Sequence, residues 1–496
     1  PRNNAWDFSA VERAGGSCAV GKCESSYRLF ICAQRASTGA PAPHGPAAML
    51  RSKRAIRYGV LCLLSLLLAL PGAAHAFDAR TEQSRLAEHI RLHPTDYEAT
   101  YRYVAISTEL RDYEAAIGAL ERLLMFNPGL ARAEMNLGSL YARLGAYQVA
   151  AQHLRAALQS PKTDDAQKAQ IAAQLSDVER AKEPNRLSVQ FSTGLRSQSN
   201  ANFFPSQGLF DVGGVTVSAG GRRADINAYE FLQASHDLEF GDQGANVLET
   251  RATIYATQQF RLSQYNIGLV SGAIGPRFQI WQDAFPGVSV KPYVTGAAST
   301  LGSENYLDAG GGGLTFRVPL GTDLTIDPGF EWRSLYVNQG ALQGPPQNAS
   351  LSTLASGELM TGYLGGAYRA TDYIRLDWQA AYSRLDAALA SQSSSQFDIR
   401  ATLRLEFAPP FADMPRRWGI APYVRFTSLA FGGPNPLVDP GVVRRDTLWT
   451  EGVLFTAPIT SWFGFVGNIE FAHNSSNLPN YRTQDFSVSL GPIAKF

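Results

Sequence analysis

Cysteine is nearly absent from this chain of 496 residues. The only cysteines are Cys18, Cys23, Cys32 and Cys62, and the rest of the sequence has none. This excludes a disulfide framework and a cysteine-based metal or catalytic site from the body of the protein. A cysteine-free body is typical of proteins that fold in an oxidising compartment, where free thiols are a liability.

Long apolar runs are also missing. Hydrophobic residues make up 45% of the chain, a fraction that is ordinary for soluble proteins, and only one short run is continuously apolar. Because a transmembrane helix needs about 20 apolar residues in a row, a bundle of such helices is excluded. The strands of a membrane β-barrel are only half apolar and leave little trace in average hydropathy, so that class stays open.

Neither sign of charge dominates, and residues suited to catalysis are few. The 44 basic residues nearly balance the 43 acidic ones, so we expect no nucleic-acid partner. After residue 183 the only histidines are His236 and His473, and neither lies in a recognisable nucleophile motif. We therefore expect no enzymatic activity, no catalytic residue, no cofactor and no metal site.

A secretory signal peptide is indicated near the start. A basic stretch over 51–57 precedes the apolar run 61–70, and Ala74-His75-Ala76 follows as a small-residue cleavage motif. These are the three parts of a signal peptide in their usual order. The chain is therefore expected to enter the cell envelope.

The first methionine, Met49, stands directly before this signal. We interpret residues 1–48 as upstream sequence that is not part of the native protein. The signal peptide is assigned to 49–76, and the mature protein is predicted to begin at Phe77.

Residues 77–183 have a helical period and repeat every 34 residues, which is the tetratricopeptide period. The equivalent pairs are Pro94 and Pro128, Tyr113 and Tyr147, and Ala116 and Ala150. Two repeats are predicted, over 97–130 and 131–162. A helix over 82–92 precedes them, and a capping helix over about 164–181 follows.

The first helix of each repeat should line a concave surface that binds a peptide or protein. In the second repeat, Glu134 and Arg143 are candidate client-binding residues. A solvated helix face is the alternative explanation for either residue alone.

After residue 183 apolar and polar residues alternate in runs of about ten, the length that a tilted strand needs to cross a bilayer. A soluble β-sandwich would have shorter strands, of about five or six residues. The alternation predicts that eight charged residues face a polar lumen: Asp327, Glu331, Arg333, Arg375, Asp377, Arg400, Arg404 and Glu406. The fourteen predicted strands are 187–197, 225–239, 245–259, 264–280, 289–300, 305–318, 322–337, 356–369, 372–386, 393–408, 418–430, 445–459, 462–473 and 482–496.

Loop lengths agree with an even-stranded barrel. If both termini lie on one side, the connections after odd-numbered strands reach the other side and should include the long ones. The three longest predicted connections, 198–224, 338–355 and 431–444, all follow odd strands. The fold class is therefore a short tetratricopeptide α-solenoid followed by an antiparallel transmembrane β-barrel of about 14 strands (184–496).

The last strand carries a terminal signal. Phe486, Val488, Leu490 and Phe496 alternate with polar or small residues, and Phe496 is the last residue. This resembles the signal that the barrel-assembly machinery reads in outer-membrane proteins. We therefore expect that machinery and outer-membrane lipids as partners. The expected location is the outer membrane of a Gram-negative bacterium, with the repeat domain in the periplasm.

The combined features resemble the surface lipoprotein assembly modifier (Slam) family. The repeat signature at Leu137, Gly138, Tyr141 and Ala150, the terminal Phe496 and the Asn-rich stretch 194–202 carry the resemblance. It implies a translocator whose repeats bind a secreted or surface client protein in the periplasm and whose barrel gives the path.

Two other functions fit the same architecture. Exopolysaccharide exporters also join tetratricopeptide repeats to a barrel, although with longer repeat arrays. A general diffusion porin with the repeat domain as a spacer would have the same polar lumen.

Overall fold

The computed structural model describes two compact units, one of helices ending at Lys182 and one of strands beginning at Glu183. The basic and apolar parts of the predicted signal peptide and residues 1–48 lie outside the described residues. Phe77 lies in the first described helix, and its status as the mature N-terminus stays a prediction. The described ranges are 72–160, 163–218, 220–241, 246–282, 284–302, 304–338, 356–411 and 416–496.

The first unit contains six described helices. None of the helices in the described residues is long and apolar enough to cross a membrane. Two helix pairs correspond to the two predicted repeats, and the last helix is the predicted cap. The helices are α1 (Gly72–Leu92), α2 (Tyr97–Glu109), α3 (Tyr113–Phe126), α4 (Ala131–Arg143), α5 (Tyr147–Gln159) and α6 (Asp165–Lys182).

The first helix is longer than the sequence pattern predicted. It begins at Gly72, whereas a helix over 82–92 was expected. The added segment is rich in alanine, the residue with the highest helix propensity, and it lacks the apolar period on which the prediction depended.

Side-chain caps determine where α2 and α3 begin. The Asp96 carboxylate accepts a hydrogen bond from the Ala99 N–H at 3.0 Å, and Asp112 accepts one from Ala115 at 3.2 Å. Each cap satisfies an N–H group that has no partner within the helix. The backbone bond and a hydrogen bond with His89 hold the pKa of Asp96 below its usual value.

Small residues allow the helices of the second repeat to approach closely. A Cβ atom at Gly138 of α4 would lie 2.6 Å from Leu154 Cγ and 3.1 Å from the Ala150 carbonyl oxygen of α5. Leu154 and Ala150 are fully buried. Gly138 is therefore needed for packing, as the repeat consensus implies.

The second unit is a closed barrel of fourteen antiparallel strands, as predicted. Consecutive barrel strands pair with each other, and the first strand pairs with the last to close the sheet. A separate two-stranded hairpin lies in the connection between the first two barrel strands. The strands are β1 (Asn185–Gln198), β2 (Leu209–Val212), β3 (Val215–Ser218), β4 (Asp225–Phe240), β5 (Asn246–Gln259), β6 (Ile267–Gln279), β7 (Ser289–Leu301), β8 (Glu304–Leu320), β9 (Leu324–Val337), β10 (Gly357–Thr371), β11 (Ile374–Ala387), β12 (Ser394–Phe407), β13 (Trp418–Asn435), β14 (Asp439–Pro458), β15 (Phe463–Ser476) and β16 (Thr483–Lys495).

The two ends of the barrel differ. We call the end where β1 begins and β16 ends the terminal end, and the opposite one the loop end. The strands that precede two of the three connections predicted to be long, β1 and β9, both end at the loop end.

The prediction of a third long connection, over 431–444, is wrong. β13 and β14 extend into it, and only 436–438 remain between them. Gly432, Gly433 and Pro434 resemble a turn in the sequence, but they lie in a bulged extension of the ladder. Gly432 donates its N–H to the Ser393 carbonyl at 2.9 Å, so the neighbouring connection supports the longer strand.

Candidate functional site

The eight predicted lumen residues share one face of the sheet. Directly paired residues of neighbouring strands lie on the same face, and the register follows this rule from β9 to β12. Glu331 pairs with Thr361, Thr361 with Ser383, and Arg375 with Arg404. The period of two places the remaining predicted residues on that face as well.

This face is the concave one. The Tyr293 hydroxyl of β7 reaches the Glu331 carboxylate of β9 at 3.0 Å, across the intervening strand β8. Arg196 of β1 reaches Glu470 of β15 at 3.4 Å across β16. Side chains of non-adjacent strands converge inside a curved sheet and diverge outside it. The charged face therefore surrounds the lumen.

Ion pairs join several of the predicted residues. Asp377 pairs with Arg404 at 2.7 Å and with Arg375 at 2.8 Å. Glu331 pairs with Arg333 at 2.8 Å. One carboxylate thus holds two guanidinium groups in the first cluster, which keeps these long side chains against the wall.

The other three predicted residues occupy the same wall. Asp327 pairs with Arg317 of β8 at 3.0 Å. Arg400 lies opposite Arg425 in the ladder, and Glu406 is near the terminal end of β12. Both signs of charge are therefore interleaved along this part of the lumen.

A buried charge cluster was missed by the sequence prediction. Glu249 of β5 accepts from Arg277 of β6 at 2.7 Å and from Lys291 of β7 at 3.0 Å. All three side chains are less than a tenth exposed. Glu249 and Arg251 occupy alternate positions in a predicted strand, and this signal could have indicated a lumen face there.

The opposite face is apolar and exposed. Phe486, Val488, Leu490 and Phe496 all lie on it and are each at least two-fifths exposed. The backbone N–H of Phe496 donates to the Val189 carbonyl at 2.8 Å, so the last residue takes part in closing the barrel. Recognition of these residues by the assembly machinery stays a prediction.

Aromatic side chains form a girdle at the terminal end. Trp418 packs edge-on against Phe455 with ring centroids 5.6 Å apart, and Trp462 stacks on Phe496 at 6.3 Å. Such girdles mark the boundary between lipid and water in membrane barrels. A closed antiparallel barrel with an apolar outer face and an aromatic girdle is an outer-membrane β-barrel.

The Asn-rich stretch at the end of β1 has a structural role. A Cβ atom at Gly194 would lie 2.3 Å from the Leu490 carbonyl oxygen of β16, so only glycine fits at this point of closure. The Asn200 amide donates to the carbonyls of Phe204 at 2.9 Å and Gln484 at 3.0 Å. Asn200 thereby connects the start of the long loop to β16.

The connection containing β2 and β3 is fastened across the loop end. The Asp211 N–H donates to Asn480 Oδ1 at 2.7 Å, and the Asn480 amide donates to the Asp211 carbonyl at 3.0 Å. The Gly214 N–H donates to the Val438 carbonyl at 2.9 Å. The hairpin is therefore held on the tip of β13–β14 and on the segment before β16.

In the helical unit, Glu134 lies between the two helices of its repeat. Its carboxylate is 2.7 Å from Nδ1 of His153 on α5. Arg143 lies half-buried in the last turn of α4. Client contact by either residue stays a prediction, and for Glu134 it would require this pair to break.

A different surface contact links consecutive repeats. The Arg132 guanidinium of α4 lies over the Tyr101 ring of α2, 4.0 Å from its centroid. Arg132 is also 3.7 Å from the Glu98 carboxylate. These residues belong to the first helices of the two repeats, which is where a client surface was expected.

Known proteins similar to this chain include one repeat family and several outer-membrane proteins. Residues 104–178 match the tetratricopeptide repeat family. No curated protein sequence matches the chain. Among solved structures, the chain is similar to a loop L8 deletion mutant of OmpT, an outer membrane protein of Vibrio cholerae, at 10% identity and TM-score 0.32, covering 63% of this chain and 100% of that one. It is also similar to Pseudomonas aeruginosa OccK9 (OpdG), at 10% identity and TM-score 0.31, with 63% and 98% covered. A third is a Pseudomonas aeruginosa FadL homologue, at 9% identity and TM-score 0.31, with 63% and 89% covered. The family match thus lies within the helical unit, and the class of the second unit follows from its strand topology.

Proposed function

We propose that this protein is an outer-membrane translocator that assists export or surface display of a client protein. In this proposal the repeats bind the client in the periplasm and the barrel gives the path. The proposal includes no chemical step and no cofactor.

The observation that carries the proposal is the surface formed by Tyr101, Arg132 and Glu98. An aromatic ring, a cation and an anion lie together on the first helices of adjacent repeats. Helical repeat arrays use such surfaces to hold extended peptide segments. Arg132 and Glu98 are 58% and 86% exposed, so a partner can reach both.

The short array favours a protein client over a sugar polymer. Two repeats with flanking helices form a small concave surface, enough for a peptide segment. A polymer exporter is expected to need a longer scaffold across the periplasm. A diffusion porin would need no binding surface at all.

Charge reversal on the repeats tests the proposal. Arg132→Glu should reduce the amount of protein displayed at the cell surface. This amount is measured as the protein that a protease digests on intact cells. The control is Arg122→Glu, which reverses an exposed charge on α3, the second helix of its repeat. Both variants should insert in the outer membrane at wild-type levels, because both substitutions lie in the helical unit and leave the barrel sequence unchanged.

Deletion of residues 77–183 extends the test. The barrel should still insert, and surface display should be lost. Unchanged display together with reduced uptake of small solutes in cells lacking the whole protein would favour the porin function. Accumulation of a polysaccharide in the periplasm of those cells would favour polymer export.

A further inference from the structure

One group of lumen residues combines a tyrosine, a glycine and a glutamate on three neighbouring strands. Tyr293 of β7 pairs with Gly313 of β8, and Gly313 pairs with Glu331 of β9. The tyrosine lies over the glycine, because a Cβ atom at Gly313 would be 2.5 Å from the Tyr293 hydroxyl. That hydroxyl donates to Glu331 at 3.0 Å, and Glu331 pairs with Arg333 at 2.8 Å.

The same arrangement occurs a second time. Tyr423 of β13 pairs with Gly452 of β14, and Gly452 pairs with Glu470 of β15. A Cβ atom at Gly452 would be 2.5 Å from the Tyr423 hydroxyl, which donates to Glu470 at 2.8 Å. Glu470 again has an arginine partner, Arg196 of β1.

The two groups lie on opposite walls at similar height. Their central strands, β8 and β14, are six places apart in the order of a closed fourteen-strand barrel, where seven places would be diametrically opposite. Gly313 and Gly452 each stand six residues before a proline at the terminal end, Pro319 and Pro458. The two groups are therefore directed towards each other across the lumen.

In both groups the guanidinium is the more exposed partner. The side chains of Arg196 and Glu470 are 22% and 12% exposed, and those of Arg333 and Glu331 are 19% and 15% exposed. Each carboxylate is occupied by a tyrosine hydroxyl and an arginine. Arg196 also donates to the Ser487 hydroxyl at 3.1 Å. A guanidinium has five N–H donors and binds carboxylate and phosphate groups well, so donors remain after these contacts are made.

We propose that Arg196 and Arg333 form a two-sided anion site that makes the lumen select anionic solutes. The glutamates and tyrosines hold the two guanidinium groups in position, and the glycines leave space for the tyrosine rings. The ligand class is solutes bearing carboxylate or phosphate groups. This inference depends on the barrel serving as a path, and it does not depend on the repeats.

The test measures ion selectivity of the purified full chain in a planar lipid bilayer. In a potassium chloride gradient the reversal potential should show preference for chloride. Arg196→Gln and Arg333→Gln should each lower the chloride-to-potassium permeability ratio by about twofold or more, and the double variant should lower it further. Added inorganic phosphate should reduce the chloride current of the wild type more than that of the double variant.

The matched control is Arg384→Gln on the outer face of β11, where the side chain is 64% exposed. It removes the same charge without touching the lumen and should leave the permeability ratio unchanged. If the double variant does not fold, Glu331→Gln gives a result of opposite sign, because it should raise the preference for chloride.

Three outcomes contradict the anion site: no conductance, preference for potassium in the wild type, or an equal shift in Arg384→Gln. No client is present in this measurement. If the display experiment fails, the selectivity result for the anion site is still valid. If the selectivity experiment fails, the proposal that the repeats bind a client is not affected.

Discussion

A methyl group added at Gly138 tests whether close helix approach holds the second repeat together. In Gly138→Ala the new Cβ atom would lie 2.6 Å from Leu154 Cγ and 3.1 Å from the Ala150 carbonyl oxygen. Leu154 is fully buried in the core of the second repeat, and the carbonyl belongs to the backbone of α5. The two helices must therefore separate or the side chain must leave its rotamer.

Two opposing effects set the size of the change. Alanine is favoured over glycine within a helix by about 1 kcal/mol. Overpacking a well-packed core typically costs about 1–3 kcal/mol. Since a rigid backbone atom and a buried side chain both obstruct the methyl group, we expect the cost to exceed the gain. The free energy of unfolding of the helical unit should fall by about 1 kcal/mol.

Gly118 provides a control of opposite sign. It lies in α3 of the first repeat and is exposed, and no atom of the described residues lies within 4 Å of an added Cβ atom. Gly118→Ala should therefore raise the free energy of unfolding by about 0.5–1 kcal/mol.

Urea unfolding followed by far-UV circular dichroism, with the full chain in detergent, would measure both changes. If Gly138→Ala is as stable as Gly118→Ala, close packing is not the reason for the glycine.

Four further predictions concern the signal peptide, the two faces of the barrel and the loop-end hairpin. N-terminal sequencing of protein extracted from the envelope should find Phe77 first, and a product that retains earlier residues would contradict the proposed cleavage. Leu403→Arg places a charge on the outer apolar face. It should lower the free energy of unfolding of the barrel by about 2–4 kcal/mol if the site lies near the bilayer midplane. The loss of folded barrel would be measured by heat-dependent migration on gels. Arg404→Leu should still assemble, and labelling of a cysteine at 404 by a lipid-phase probe would show that the faces are assigned wrongly. Asn480→Ala removes both hydrogen bonds to the buried Asp211 backbone and should destabilise the loop-end hairpin by about 2 kcal/mol, visible as faster protease cleavage between β1 and β4 with the barrel intact.

Local periodicity explains what was predictable. A period of two depends only on the strand itself, so the lumen face of Arg400, Arg404 and Glu406 could be read without knowing any neighbour. A repeat of 34 residues likewise identified the helix pairs and the need for a small residue at Gly138. The fold class and the strand count follow from such patterns.

Pairing between distant residues was not predictable in the same way. The contact of Glu134 with His153, nineteen residues further along, arises because α4 and α5 pack together. Gly432 and Pro434 resemble a turn until the ladder between β13 and β14 is known.

The sequence by itself thus determined the two-part architecture, the alternation of faces and the number of strands, because each is encoded in short-range spacing. Only the tertiary structure decided which residues meet in the lumen. The alignment of Tyr293, Gly313 and Glu331 depends on the registers of two strand pairs, and the contact of Arg196 with Glu470 depends on the closure of the barrel. Register and closure join residues up to hundreds of positions apart, and no local pattern records them.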